Sequence, residues 1–273
     1  MIASPATGFW ERRLSRVGHR VVSTARVLRD LTAFALIVLG VMLKKFGTSH
    51  RVVHPLVFAQ IRQAGVRLLP MSLFLGIAFG LLIIGQTVAL LSRVGAQAFI
   101  GTVMVSVVVR ELGPLITAIV VLARAGTATV VELGTMRALG EVRALESLGI
   151  DPIHYLVMPR MLGLSIAVFC LTTYVVLAAI LSGWAFAFLQ DIPLSPSAYF
   201  GQLGDALHWQ DFALFGLKTL AFGAVIAVVC CYHGLARPLH FEAIADEAER
   251  AVVESVLCCV LLDLLFLVGY VFV

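Results

Sequence analysis

The sequence predicts an all-α polytopic membrane protein with an N-terminal interfacial helix and five transmembrane helices. Of the 273 residues, 60% are hydrophobic and 13% are charged, and the mean hydropathy is +1.01. Five apolar segments are also long enough to cross a hydrocarbon core of about 30 Å as helices. Lipid offers the backbone no hydrogen-bond partners, so each such segment should be helical.

The same composition excludes several classes of protein. With 20 basic and 16 acidic residues, the chain has about half the charged share of an ordinary soluble domain. This argues against a disordered chain, a secreted disulfide scaffold and a typical soluble enzyme. The five cysteines lie in apolar runs without metal-ligand spacing, which indicates that they act as small hydrophobic residues. We therefore predict no metal or bound cofactor.

Residues 1–50 form a basic amphipathic region, and residues 51–273 form the membrane domain. In a helix, arginines of the first region would lie on one face. The opposite face would carry four apolar residues: Trp10, Leu14, Val17 and Val21. This pattern predicts a helix lying flat on the membrane, with packing on a protein surface as the alternative. The apolar run 31–43 follows, and its ~20 Å length favours an interfacial or re-entrant segment over a span.

The five predicted spans are 68–91, 96–123, 156–189, 212–236 and 254–273. Eleven of the 20 Lys and Arg residues precede position 68, which predicts a cytoplasmic N-terminus near anionic headgroups rather than nucleic acid. An odd number of spans then places the C-terminus outside. The acidic connection 190–211 has no Lys or Arg and suits the outer side.

Four charged residues fall inside predicted spans: Arg110, Glu111, Lys218 and Asp263. Such groups are costly in hydrocarbon, at about 2.5–3.5 kcal/mol each at a helix centre, and usually pair inside a bundle. They predict either a neutral structural network or a polar patch in a transport cavity. Lys218 has a further alternative, because it follows Asp211 by only seven residues and could snorkel towards the outer surface.

Two glycine-containing motifs bear on helix shape and packing. Gly113 and Pro114 follow the charged pair of the second span and predict a kink or break, either structural or at a binding cavity. Gly76 and Gly80 form a GxxxG motif that permits close helix approach, for example at a dimer interface, although this motif is common in apolar helices.

The long inner connection 124–160 is predicted to be helical from Glu132 to Leu148, with breaks at Gly140 and Gly149. Its mixed apolar and charged surface indicates either packing or a docking surface for another protein. The chain has no GxxxxGK[ST], HExxH or GxSxG motif, so it has neither a P-loop nor a motif-based protease or lipase site.

The middle of the chain resembles the signature of MlaE-type permeases, the membrane subunits of ABC transporters that work with MCE proteins in lipid traffic. The matching stretches are Arg110–Pro114, Ala123–Gly126, Glu132–Ala138, Leu145–Pro152 and Pro159–Arg160. The resemblance extends over roughly 52–273, which makes 51–273 an MlaE-like permease domain.

The resemblance implies a homodimer that binds two cytoplasmic ATPase subunits and a periplasmic MCE-domain protein. ATP and Mg²⁺ would then be bound by the ATPase chains, and a small STAS-type accessory protein is a further expected partner. On this resemblance the segment from Glu132 to Leu148 is a cytoplasmic coupling helix, and the expected contacts are Glu132, Met136, Arg137, Glu141, Arg143 and Glu146. The four intramembrane charges match family positions in or near the lipid route.

We therefore expect an inner-membrane permease that moves phospholipids or related lipids and helps to maintain outer-membrane lipid asymmetry. Two other classes fit the residues alone. One is an ATP-independent secondary transporter that uses the intramembrane charges as an ion relay, and the other is a membrane scaffold that moves no lipid. Transport under an ion gradient without any ATPase would indicate the secondary transporter, and assembly without lipid movement would indicate the scaffold.

Overall fold

The computed structural model describes residues 29–42, 50–96, 99–189, 196–235 and 241–272, and the regular structure in these ranges is entirely helical. Five helical segments are long and apolar enough to span a membrane, as predicted: His54–Leu91, Ile100–Ala138, Ile153–Phe186, Trp209–Leu235 and Phe241–Tyr270. The predicted interfacial helix with Trp10, Leu14, Val17 and Val21 lies outside the described residues.

Helix α1 covers residues 29–42 and contains most of the short apolar run that precedes the first span. Leu31 and Val38 are buried, and Phe34 makes an edge-on ring contact with Tyr232 of the fourth span, with ring centroids 5.7 Å apart. The helix is only about 21 Å long at 1.5 Å per residue, too short to cross the hydrocarbon. It packs against the membrane helices.

The first span begins at His54 rather than at residue 68. The polar residues that precede the apolar run belong to the same helix. This helical segment consists of helices α2, α3 and α4, joined by a 3-10 turn and then a π-helical turn: His50–Ala64, Val66–Leu68, Leu69–Phe79, Gly80–Ile84 and Gly85–Arg93.

The second span ends at Ala138 rather than at residue 123, because Gly126 and Gly134 keep helical backbone angles and the left-handed conformation comes only at Gly140. Its segments are α5, a π-helical turn, α6, a second π-helical turn and α7: Ile100–Met104, Val105–Leu112, Gly113–Val121, Leu122–Gly126 and Thr127–Ala138. Helix α8 (Glu141–Ser147) follows. The predicted helix from Glu132 to Leu148 is therefore the end of a span plus a short helix, divided at Gly140, whose φ is +80°.

The third span begins where Asp151 accepts a hydrogen bond of 3.1 Å from the Ile153 amide, as expected for an N-cap before a first-turn proline. The remaining elements are a π-helical turn, α9, α10, α11, a 3-10 turn and α12: Ile153–Val157, Met158–Leu189, Pro196–Ala206, Trp209–Leu235, Phe241–Ala243 and Ile244–Phe272. Helix α10 docks through Tyr199, and burial raises the pKa of this phenol to about 12.

The third and fourth spans form the centre of the molecule, where Leu164, Leu171, Phe222 and Ile226 are almost completely buried. The Gly76/Gly80 motif does serve close helix approach, but to the third span of the same chain. A β-carbon on Gly76 would lie 2.8 Å from the Val175 carbonyl oxygen. The motif is thus used within the chain and is not available to a dimer interface.

Candidate functional site

The predicted intramembrane charges meet in one cluster between the second, fourth and fifth spans. Lys218 is completely buried, and its Nζ lies 3.0 Å from Glu111 Oε2 and 2.6 Å from Asp263 Oδ1. The ammonium therefore has two anionic partners, which lowers the cost of holding a charge at membrane depth. Snorkelling of Lys218 is excluded, because its ammonium points into the protein.

The third ligand of the ammonium is a backbone oxygen that a proline has released. Lys218 Nζ donates a 2.7 Å hydrogen bond to the Arg110 carbonyl. In an α-helix this carbonyl would accept from the residue four positions on, which is Pro114 and has no N–H. Lys218 thus donates to the carbonyl that Pro114 leaves without a helical donor, and this hydrogen bond links the second and fourth spans.

The helix is not broken at Gly113-Pro114, so the predicted break is wrong, while the alternative of a kink stays a prediction. The structure shows a change in helical winding here. Backbone angles stay helical at Gly113, and its amide donates to Val108, five residues back. Such π-helical turns insert an extra residue per turn and commonly lie at functional sites. The wide turn next to Glu111 gives room for the proline ring without interrupting the span.

Arg110 has a separate partner, Asp211, which lies at the end of the connection predicted to be on the outer side. Its Nη2 lies 2.8 Å from Asp211 Oδ1, and the guanidinium carbon lies 4.9 Å from the centre of the Tyr270 ring. Asp211 is buried in the first turn of α11, and its other oxygen accepts a 3.0 Å bond from the His208 amide. The spacing of seven residues between Asp211 and Lys218 was the available indication, since it places both on one helix face.

A cavity with a mostly polar lining lies beside the charged cluster. Its volume is about 280 Å³, and its lining residues are Arg110, His208, Gln210, Asp211, Leu214 and Tyr270. Within the described part of the chain, the buried Arg110 Nε has no hydrogen-bond partner. An unused cationic donor beside a cavity suits an anionic group such as a phosphate.

Formal charges in the cluster do not cancel, because three carboxylates face two cations. The cluster is open at three of its members, because the side chains of Arg110, Glu111 and Asp263 are 28%, 25% and 16% exposed, whereas Lys218 is fully buried. In a membrane, this opening faces lipid unless another molecule covers it.

A second polar cluster lies near the opposite end of the fourth and fifth spans and was not predicted. Both ring nitrogens of His233 contact carboxylates at 2.8 Å, Nδ1 with Glu247 and Nε2 with Glu254. Arg250 Nη1 also donates to Glu247 at 2.8 Å. The seven-residue spacing of the two glutamates places them on one face and was the available indication. This cluster ties the fourth span to the fifth.

The six residues expected to contact an ATPase occupy the end of the second span and the short helix after it. Glu132 pairs with Arg160 at 2.9 Å, Met136 packs on the core, and Arg137 is half-buried. The other three are exposed on α8: Glu141, Arg143 and Glu146. Apolar residues surround them, and Leu139 and Leu148 are 60% and 74% exposed. The surface has the composition of a docking site, although the structure contains no partner.

Together, the fold and the cluster define a multi-pass, all-helical membrane protein with ion-paired charges enclosed between its spans. Residues 57–268 match the family described as Permease MlaE. The chain therefore belongs to the MlaE permease family, whose members are permease subunits of ABC transporters and not enzymes.

Three relatives illustrate the breadth of this family. The chain is 34% identical over 199 residues to TRIGALACTOSYLDIACYLGLYCEROL 1, chloroplastic, of Arabidopsis thaliana, covering 71% of this chain and 54% of that protein. It is 26% identical over 239 residues to "Probable ABC transporter permease protein RP096" of Rickettsia prowazekii, covering 88% and 90%. It is 25% identical over 210 residues to the intermembrane phospholipid transport system permease protein MlaE of Haemophilus influenzae, covering 77% and 80%. The chain thus spans about half the Arabidopsis protein and most of the two bacterial ones.

Proposed function

We propose that this chain is the permease subunit of an ABC transporter that moves phospholipids between the inner membrane and a periplasmic MCE-domain protein. In this proposal two cytoplasmic ATPase subunits supply the energy, and the transport helps to maintain outer-membrane lipid asymmetry. A small STAS-type protein is the expected accessory. The name of the Haemophilus relative supports phospholipid as the cargo.

The observation that carries the proposal is the charged cluster and its adjoining cavity at membrane depth. A phospholipid has an anionic phosphate at one end and apolar chains at the other. The phosphate fits beside Arg110, whose Nε has no partner among the described residues, and the chains fit against apolar span surfaces. Lys218 would hold Glu111 and Asp263 in place while the headgroup passes.

The permease works as a homodimer in this proposal. Only 17% of the apolar window of the fifth span is buried within the chain, against 50–56% for the second, third and fourth spans. A second copy placed on the fifth span would cover this surface. It would also enclose the open side of the cluster, where Glu111 and Asp263 are partly exposed.

Energy enters through α7 and α8 in the proposed mechanism. ATPase closure would push on the exposed residues of α8, and the continuous helix from Ile100 to Ala138 would transmit this movement to Arg110 and Glu111. The orientation assigned from the basic residues supports this, because it places α8 and the N-terminus in the cytoplasm and the C-terminus in the periplasm.

The experiment is a reconstitution of the chain with its ATPase and MCE partners in vesicles that contain a fluorescent phospholipid. We expect ATP-dependent transfer of the lipid to the MCE protein. Exchanging the charges of α8, with Glu141→Lys and Arg143→Glu together, should abolish transfer and weaken copurification of the ATPase.

A matched control exchanges exposed charges at the opposite end of the spans, with Arg93→Glu and Asp205→Lys. It keeps the net charge, and the ATPase should still copurify. Transfer by the chain alone under an ion gradient would instead support a secondary transporter. Assembly of all partners without any lipid movement would support a scaffold.

A further inference from the structure

A second polar cavity lies about 20 Å along the second span from Arg110, counting 14 residues at 1.5 Å each. Its volume is about 210 Å³, and it lies between the first and second spans. Its polar lining residues are Gln60, Gln63, Arg67, Arg124, Thr129 and Glu132. None of the intramembrane charged residues of the first cluster lines it, so it is a separate site.

Two arginines from different spans line this cavity, and neither has an acidic partner among the described residues. Within the described ranges, neither Arg67 nor Arg124 forms an ion pair, and both are exposed. The carboxylate that lines the cavity belongs to Glu132, and it is already held by Arg160 at 2.9 Å. The positive charge of the two guanidinium groups is therefore available to a ligand.

The arginines also mark a boundary of the hydrocarbon region. Arg67 directly precedes the uncharged stretch Leu68–Leu91, and Arg124 directly follows the apolar stretch that ends at Ala123. Both side chains therefore lie at the level of lipid headgroups, while Leu68, Ala125 and Ala128 provide an apolar wall on the cavity. Basic pockets between spans at this level bind the headgroups of anionic lipids.

We propose that this cavity is a phosphate-binding site in which Arg67 and Arg124 hold the phosphate of an anionic lipid headgroup. Guanidinium groups bind phosphate through paired N–H donors, and the amides of Gln60 and Gln63 offer further donors for the remaining oxygens. A free phosphate has the same chemistry and is the other possible source. The inference rests on the chain lying in a membrane and does not depend on transport.

The test measures lipid binding by the purified full-length chain in detergent, without ATPase or MCE protein. After delipidation, the chain is titrated with dioleoyl phosphatidylglycerol, and lipid-bound species are counted by native mass spectrometry. We expect binding to weaken about fivefold for Arg67→Gln or Arg124→Gln alone and about twentyfold for both together. Phosphate-free dioleoylglycerol should bind the wild type and the double variant equally.

Arg62→Gln is the matched control, because Arg62 is an exposed arginine of α2 that does not line the cavity. It should bind phosphatidylglycerol as the wild type does. An equal loss in this control would show only a diffuse basic surface, and unchanged binding in the double variant would overturn the proposal directly.

Addition of inorganic phosphate separates the two sources. If millimolar phosphate leaves the lipid-bound species intact, the site is a lipid headgroup site. If it displaces the lipid from the wild type, the same residues form a site for free phosphate. All of these experiments measure lipid binding alone. The phosphate-binding proposal can therefore be wrong while ATP-driven lipid transfer is observed, and it can be right while no transfer is observed.

Discussion

At the scale of single residues, the cluster around Lys218 shows how a buried charge is stabilised inside a strongly hydrophobic protein. The ammonium is fully buried, and its three oxygen partners come from two spans other than its own. Removal of one member of such a group is costly because it leaves other charges buried without a counterion. The energetic role of Lys218 can therefore be separated from any role in transport.

Lys218→Met should lower the free energy of unfolding by about 3–5 kcal/mol, because Glu111 and Asp263 lose their shared cation. Titration with SDS, followed by tryptophan fluorescence, measures this loss. Adding Glu111→Gln and Asp263→Asn should recover most of it, since no unpaired carboxylate then remains. Arg93→Met, at an exposed arginine, is the control, and equal stability of Lys218→Met and wild type would contradict the proposed ion pairs.

Four of the five charged groups of this cluster could be predicted from the sequence, and their partners only in part. A charged residue inside an apolar run is conspicuous in the sequence, and paired burial follows from the cost of an isolated charge. Asp211 was missed because it lies at the edge of a polar connection, where an acidic residue needs no explanation. The Arg110 carbonyl was missed because a backbone acceptor carries no residue-type signal.

At the scale of elements, glycines determine how closely the first span packs on the third. A β-carbon on Gly80 would contact the backbone of Ala179 and the Ser182 hydroxyl, and one on Gly85 would meet the Phe186 ring. Backbone atoms inside a packed helix pair cannot move aside as a flexible side chain does. The two spans must therefore separate if Gly80 gains a side chain, whereas at Gly85 the obstacle is the side chain of Phe186.

Gly80→Ala should destabilise the protein by about 1–3 kcal/mol, because the added methyl group overpacks this contact. Gly269→Ala provides a comparison in the fifth span, where a β-carbon meets no atom of the chain within 4 Å. The stability of the Gly269→Ala variant should be unchanged or raised by up to about 1 kcal/mol, since alanine has a higher helix propensity than glycine. SDS titration of both variants tests the pair, and equal destabilisation would show that the loss is not caused by contact with the third span.

The number of spans could be predicted from the sequence, but their ends could not. An apolar run stops at the first charge, whereas a helix stops where the backbone cannot continue. The second span therefore passes Arg124 and Glu132 and ends only before Gly140, which adopts a left-handed conformation. Likewise, Asp246, Glu247 and Arg250 lie in the fifth span's helix although they lie outside its apolar run.

At the scale of the whole molecule, the five spans are unequally covered. The third and fourth form the centre, while the first and fifth have only 29% and 17% of their apolar windows buried. Lipid is a suitable neighbour for apolar side chains but not for the partly exposed carboxylates of Glu111 and Asp263. In the proposed dimer, a second copy whose fifth span lies against this one would cover both the apolar face and the carboxylates.

The chain should therefore purify in mild detergent with the protein mass of two 29.4 kDa copies, as measured by light scattering after gel filtration. Leu261 and Leu265 are one turn apart on the fifth span and are 51% and 66% exposed. Replacing both with Asn should shift the mass towards one copy, because the substitutions place amide groups in an apolar contact.

Leu177 and Leu181 are the matched pair on the third span, with the same spacing and with exposures of 51% and 55%. Replacing them with Asn changes the lipid-facing surface equally but should leave the dimer intact. Dissociation by the third-span pair alone would move the interface there. In that case the open side of the charged cluster would face lipid in the assembled permease, and the cavity beside Arg110 would be a surface groove rather than an enclosed chamber.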